Sequence, residues 1–239
     1  MGFQGLFGTL SIIAVAMGPH LCAQTNLLYS DNSDWWSTYR SLGPRELTAK
    51  AENREPDTSL YQILAVNLGD EDFEHLEAKL GKVARIGRGD ASTGREQICY
   101  VSAERQPVHL IFEKGELDES YYLFTGGKAW KGIDLCGKSN LVSVGLTAGN
   151  GLRLQQTRPQ VEAILGKPIV SRPDRIYYTF SVRKKRPDSK LKKLRDENPK
   201  SSDKEFHETF DFYSLWVYVE ARFERSKLNY LAVSKSETD

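Results

Sequence analysis

Gly132-Ile-Asp-Leu-Cys-Gly137-Lys138-Ser139 fits the G-x4-G-K-S expression of a phosphate-cradling loop, in which backbone amides hold the anion and the lysine reaches its outer phosphates. That chemistry needs a strand before the loop and a helix after it. Asn140 to Gly145 reads as extended instead, so a Gly-rich linker is expected here and not a nucleotide site. His207-Glu208 opens like the zinc-binding H-E-x-x-H pattern, but Asp211 stands where the second histidine is required. Arg88-Gly89-Asp90 belongs to a stretch with ordinary turn composition. Glu71, Asp72 and Glu74 fall at a predicted helix start, where carboxylates favour the macrodipole. His75, His109 and His207 lie in unrelated segments, so no His-centred triad is visible. No cofactor and no metal are expected.

Two sets of residues are left as candidates. Val108, Leu110 and Phe112 alternate with His109 and Glu113, and Val219, Ala221 and Phe223 alternate with Glu220, Arg222 and Glu224, as strands with one apolar face do. If His109, Glu113, Glu220 and Glu224 converge on one cleft, they could supply the acid–base chemistry of an extracytoplasmic hydrolase. Scattered over a sheet face, they fit a non-enzymatic binding module. The second set is the insertion Val182 to Phe210, whose first half holds Arg183, Lys184, Lys185, Arg186, Lys190, Lys192, Lys193 and Arg195 against Asp188 alone. Its second half is mostly acidic. These eight cations are candidate contacts for an anionic lipid, a polysaccharide or an acidic envelope protein, the plain alternative being a solvated loop.

The charge balance excludes one large class of partners. Lys plus Arg number 33 against 32 acidic residues, a net charge of +1, whereas a general nucleic-acid binder needs a basic excess. Leu6 to Met17 is an apolar run of signal-peptide length ahead of the small-residue site Leu21-Cys22-Ala23. Residues 1–23 are therefore expected to be removed on export, giving a secreted or periplasmic protein. Cys22 raises lipid anchoring as a lesser reading, though Leu21 replaces the small residue that a lipobox wants. No transmembrane helix is expected after signal removal. In an exported chain Cys99 and Cys136 read as a disulfide.

The clearest element is the helix after Thr157. Thr157 and Gln160 form a capping box, Pro159 sits in the first turn, and Val161, Ile164 and Leu165 share a face. Gly166 supplies a positive-φ stop and Pro168 forbids continuation. Ahead of it, residues 24–59 read as an arm carrying Trp35 and Trp36, and Tyr61 to Leu68 as a strand. A second helix, capped by Asp70 or Asp72, buries Phe73, Leu76 and Leu80.

These two helices carry an internal repeat. Glu77-Ala-Lys-Leu-Gly-Lys82 matches Glu162-Ala-Ile-Leu-Gly-Lys167 at five of six positions. Ile98 to Val101 then aligns with Ile176 to Thr179, and Val108 to Phe112 with Val219 to Phe223. Tight hairpins at Lys114-Gly115 and Arg225-Ser226 lead into Leu117 to Phe124 and Leu228 to Val233. The expected fold class is α+β: a tandem pair of units, each a helix packed on a small antiparallel sheet. The first unit covers residues 60–128, a linker 129–148, and the second unit 149–239 with the charged insertion at 182–210.

The phrase Gly151 to Pro168, GLRLQQTRPQVEAILGKP, resembles the G-x-x-L-x-x-T-x-x-x-V-x-x-x-L-G-x-P signature of the SmpA/OmlA small outer-membrane lipoproteins. Their relatives include the tandem-repeat β-lactamase inhibitory proteins. The resemblance implies an envelope or secreted binding module built from helix-plus-sheet units. It assigns no contact residues, and the partner's identity is left open.

Overall fold

The structure, a computed structural model, describes residues 47–68, 73–88, 95–115, 118–125 and 135–238. The expected signal peptide, Cys22, Trp35 and Trp36, the helix caps Asp70 and Asp72, and most of the Arg88-Gly89-Asp90 turn lie outside those residues.

A 3-10 turn, Thr58–Tyr61, leads into β1 (Gln62–Ile63) and β2 (Val66–Asn67). Then come α1 (Phe73–Leu80), β3 (Ile86–Arg88), β4 (Arg95–Val101), β5 (Val108–Lys114), β6 (Asp118–Thr125) and β7 (Gly137–Lys138). The remainder is α2 (Arg158–Leu165), β8 (Val170–Ser171), β9 (Arg175–Lys185), α3 (Asp188–Glu197), α4 (Asp203–Phe210), β10 (Phe212–Glu224) and β11 (Lys227–Thr238).

The protein is mixed α+β. β1 and β2 pair as a separate hairpin, and the other described strands form one sheet in the order β3-β4-β5-β6-β11-β10-β9-β8. β7 adds to β4 in parallel, beside Tyr100 and Val101. The centre of the sheet is the antiparallel register between β6 and β11, from Phe124 opposite Tyr230 to Asp118 opposite Ser236. Strand alternation follows the sequence. Val108, Leu110 and Phe112 enter the main core with Ile176, Tyr178, Phe180, Leu215, Val217, Val219 and Ala221.

Both helices cover that core face. Phe73, Leu76 and Leu80 of α1 and Val161 and Leu165 of α2 are buried, but Ile164 is 36 % exposed. Eight residues make little more than two turns, so the stripe α2 buries is narrower than its apolar composition suggests. Gln160 Oε1 accepts from the Thr157 backbone N–H at 2.8 Å, and Gly166 ends the helix at φ 89°. Equivalent strand tyrosines fasten both helix ends. Tyr100 Oη donates to the Gly81 carbonyl at 2.8 Å and Tyr178 Oη to the Gly166 carbonyl at 3.1 Å. Gly81, like Gly166, has positive φ, and each glycine N–H bonds the carbonyl of the aligned glutamate, Glu77 or Glu162.

Three stretches differ from the sequence expectation. Tyr61 to Leu68 is a 3-10 turn and a tight hairpin instead of one strand, because Leu64 and Ala65 take φ of 55° and 57°. That is the type I′ conformation, which non-glycine residues adopt at a cost of roughly 1 kcal/mol each and which neither residue type advertises. Asn140 to Gly145 forms turns and not an extended segment, and Val142, Leu146 and Ala148 just beyond the disulfide are core residues. The described end of the arm is also tied down: the Glu52 N–H donates to the Thr179 carbonyl at 2.9 Å, and Ser181 N–H returns the bond to Glu52.

Cys99 and Cys136 form the disulfide, with Cα atoms 4.5 Å apart at a sequence separation of 37. Cys99 is fully buried, so the bridge fastens Leu135 and Cys136 onto the sheet face opposite the helices. Closing a loop of this length contributes roughly 3 to 4 kcal/mol in the chain-entropy account. Replacing both cysteines by alanine should lower the urea-denaturation free energy by about that amount. An unchanged midpoint, or two titratable thiols in the oxidised protein, would contradict the bridge.

Candidate functional site

The sheet face away from the helices carries most of the polar chemistry. Cross-strand register places Val101, His109, Phe124, Tyr230, Arg222 and Arg175 in one row. The next row runs Cys99, Ile111, Tyr122, Ala232, Glu220 and Tyr177, and a third runs Gln97, Glu113, Ser120, Ser234, Tyr218 and Thr179. His109, Glu113 and Glu220 share this face and are 1 %, 2 % and 2 % exposed.

They share the face without converging. Glu113 on β5 and Glu220 on β10 are three strand spacings apart, about 14 Å at the usual 4.8 Å per strand. Paired glycosidase carboxylates stand within about 5 to 9.5 Å. Glu113 accepts from Gln97 Nε2 and, at 3.4 Å, from the Tyr122 hydroxyl. Glu220 accepts from Arg222 Nε at 2.7 Å and the Tyr177 hydroxyl at 3.2 Å, with Arg175 Nη1 at 3.9 Å. Arg222 lies over the Tyr230 ring, 4.2 Å from its centroid. Burial, with Glu220 as the next influence, pushes the Tyr230 phenol well above its ordinary range. Glu224 is at the hairpin end, exposed, accepting from Asn229.

His109 stacks on Phe124, ring centroids 5.1 Å apart, and burial holds its imidazole below the usual histidine range, in the neutral form. The other histidine motif gains no zinc geometry. His207 lies on α4 with Nδ1 2.7 Å from Asp211, and no metal-ligating cluster occurs among the described residues. Lys138 of the phosphate-loop expression is in β7, where Gly137 packs so close to Val83 that a Cβ would overlap it.

The eight basic candidates separate into two groups. Lys184 Nζ donates to Glu55 at 2.8 Å, a hydrogen bond that raises its pKa. Arg186 donates to the Phe210 carbonyl at 3.0 Å and lies over Tyr213. Arg195 bonds Asp203 and the Ser201 carbonyl and stacks on Phe206. These three build the insertion. Arg183, Lys185, Lys190, Lys192 and Lys193 are exposed, with Lys190 3.6 Å from Glu237 and Lys193 3.9 Å from Glu197.

The insertion is a helical hairpin and not a loop. β9 and β10 pair as far as Lys185 opposite Phe212, and Arg186 N–H bonds the Asp211 carbonyl at 2.7 Å below α3 and α4. The sequence does contain the signals: Asp188 to Glu197 is rich in helix formers, and Ser202 with Glu205 is a capping box whose Ser202 Oγ accepts from Glu205 N–H at 3.3 Å. What sequence reading missed is the Glu220–Arg222–Tyr177 network, visible only as a charged i, i+2 pair on a strand.

Two outcomes test this face. Glu220→Ala should destabilise the fold by about 3 kcal/mol, because it strips Arg222 of its carboxylate in a buried setting, while joint replacement of Glu220 and Arg222 by leucine should cost far less. Paired urea titrations separate the cases. Acidification below about pH 6.5 should also destabilise the protein, since the unfolded His109 takes a proton that the folded state refuses, giving a slope of up to about 1.4 kcal/mol per pH unit. His109→Phe should remove that slope, and an identical pH profile in both proteins would reject the assignment.

Among the described residues no helix is long and apolar enough to cross a membrane. No family model, curated protein or solved structure matches this chain.

Proposed function

We propose that this chain is an exported, non-enzymatic binding or envelope-associated module made of two fused helix-plus-sheet units. The strand order supports the duplication: β3-β4-β5-β6 is followed across the sheet by β11-β10-β9-β8, each set preceded in sequence by its helix. The strongest support is the pair of tyrosine bonds to Gly81 and Gly166, since these residues also align in the sequence repeat. The SmpA/OmlA-like phrase lies on α2 and its flanks, in keeping with an envelope setting.

One observation carries the binding role: the charged insertion is an ordered helical projection on a stalk of paired strands. Within the hairpin Arg195 bonds Asp203, and the Lys193–Glu197 and Lys204–Glu208 pairs stand at 3.9 Å, with all three carboxylates exposed. Lys185 and Lys192 stay exposed and make no ion pair among the described residues. A preorganised projection that holds lysines exposed on one helix loses little conformational entropy when those lysines dock on an anionic surface. An envelope protein, anionic lipid or polysaccharide fits that chemistry.

The test is cosedimentation with phosphatidylglycerol vesicles and, separately, with an acidic polysaccharide. K185Q/K192Q/K193Q should weaken binding several-fold and flatten its salt dependence, with stability within about 0.5 kcal/mol of the parent. Replacing residues 187–211 by a short Gly-Ser turn should abolish the salt-sensitive binding and leave the thermal midpoint nearly unchanged, because closure entropy grows only logarithmically with loop length. Excision must spare Lys184, which bonds Glu55. Equal binding by parent and both variants would remove the hairpin from the functional account.

A further inference from the structure

β9 reaches beyond its neighbours on its outer side. β10 pairs with it along its whole length, to Lys185 opposite Phe212, but β8 covers only Ile176 and Tyr177 of the other edge. Further along that edge the arm adds a single residue in parallel. The Glu52 N–H donates to the Thr179 carbonyl and the Ser181 N–H to the Glu52 carbonyl, each at 2.9 Å. The arm then turns away, with the Arg54 N–H bonded to the Glu52 carbonyl at 2.8 Å. Backbone groups alternate between the two sides of a strand, so the N–H and C=O of Arg183 and the N–H of Lys185 follow Ser181 on this side. No backbone group among the described residues bonds them.

Strand addition also completes the sheet at its other end. β7, which precedes α2 in the chain, adds in parallel to β4, which follows α1; the arm precedes α1 and adds to β9, which follows α2. The bonds match, because the Ser139 N–H donates to the Val101 carbonyl at 3.0 Å and Val101 aligns with Thr179. The two additions differ in how they are held. β7 follows the disulfide at Cys136, and its Gly137 is pressed against Val83. The arm has Arg54 over the Phe180 ring and the Lys184–Glu55 ion pair, whose side chains are 34 % and 29 % exposed. It is therefore the added segment that a competitor can displace.

The side chains along the free edge name the chemistry of that competitor. Arg183 and Lys185 are exposed on one face of β9, and Lys184 lies on the other, where it already takes the Glu55 carboxylate. A second copy of this chain would bring the same cations against them, which disfavours self-pairing. An extended peptide with acidic side chains satisfies both the backbone groups and the charges.

We propose that residues 179–185 of β9 are an acceptor edge for an extended acidic peptide of a partner protein, added in the manner of β7 on β4, and that the arm at Glu52 and Glu55 is its displaceable cap. This deepens the binding-module reading and rests on it. The edge is distinct from Lys192 and Lys193 on α3, so the two surfaces are separable by mutation.

The probe is a fluorescein-labelled nonapeptide of alternating glutamate and valine, read by anisotropy on the full chain, with thermal unfolding as the control for each variant. It should bind, and its lysine–valine counterpart should bind at least about tenfold more weakly. Backbone N-methylation of one alternate set of its residues should weaken binding at least about tenfold, and of the other set little, because only one edge of an added strand faces β9. R183Q/K185Q should weaken binding several-fold and flatten its salt dependence, and E55Q, which frees Lys184, should tighten it. Equal binding by the two N-methylated peptides would overturn the edge, since charge attraction ignores which N–H is blocked, and this comparison needs no protein variant. Loss confined to K192Q/K193Q would also overturn it and leave the hairpin docking reading intact. Dimerisation of the chain in competition with the peptide would overturn it by identifying a second copy as the occupant. Absence of peptide binding would overturn the edge alone, because cosedimentation with vesicles and acidic polysaccharide decides the hairpin reading separately.

Discussion

The antiparallel pairing of β6 with β11 is the constraint that organises the molecule. Without it, the strands on either side would each present an open edge of unpaired N–H and C=O groups, a liability that proteins do not leave exposed. The pairing brings Tyr121 and Leu123 beside Leu231 and Val233 within one continuous core. It also fixes the rows of the opposite face. Glu113 and Glu220 stand three strands apart because the join lies between them, and no side-chain rearrangement within their reach closes that gap.

The two helices depend on the same core. Eight-residue helices are too short to be stable alone, since nucleation is costly and few hydrogen bonds offset it. Each is held by its buried stripe and by a strand tyrosine that satisfies a carbonyl at the helix end. Tyr100 and Tyr178 are 0 % and 1 % exposed, and burial raises the Tyr100 phenol to about 12, so both remain protonated donors at neutral pH. A fixed glycine stop allows that contact: positive φ at Gly81 and Gly166 turns the chain away and leaves the carbonyl available to the sheet.

The face opposite the helices obeys a different logic. Its charges are expensive to bury, and Glu220 with Arg222 is tolerated because the pair is also hydrogen-bonded to Tyr177 and shielded by Tyr230. Such networks add little net stability, but breaking one partner is costly, so they specify one arrangement of the central strands.

The amino-acid sequence alone determined the local features whose causes are local. The Thr157–Gln160 cap, the glycine stops, the strand alternation around Val108 and Val219, the hairpin at Arg225-Ser226 and the pairing of Cys99 with Cys136 were all legible because spacing and residue type carry them. The helical hairpin was also written locally, in the helix formers of α3 and the Ser202–Glu205 cap, although the charge run masked it. Tertiary structure decided the rest. Periodicity states which side of a strand Glu220 or His109 occupies, but whether that side is covered depends on segments far away in the chain, so their burial was not readable. Leu64 and Ala65 adopt left-handed turns only because β1 and β2 are held against the core, and Ile164 lies outside the narrow buried stripe of α2. Of eight equivalent-looking cations, three are consumed by Glu55, the Phe210 carbonyl and Asp203. Charge is a property of the residue, whereas its availability is set by which partners the fold brings within hydrogen-bonding distance.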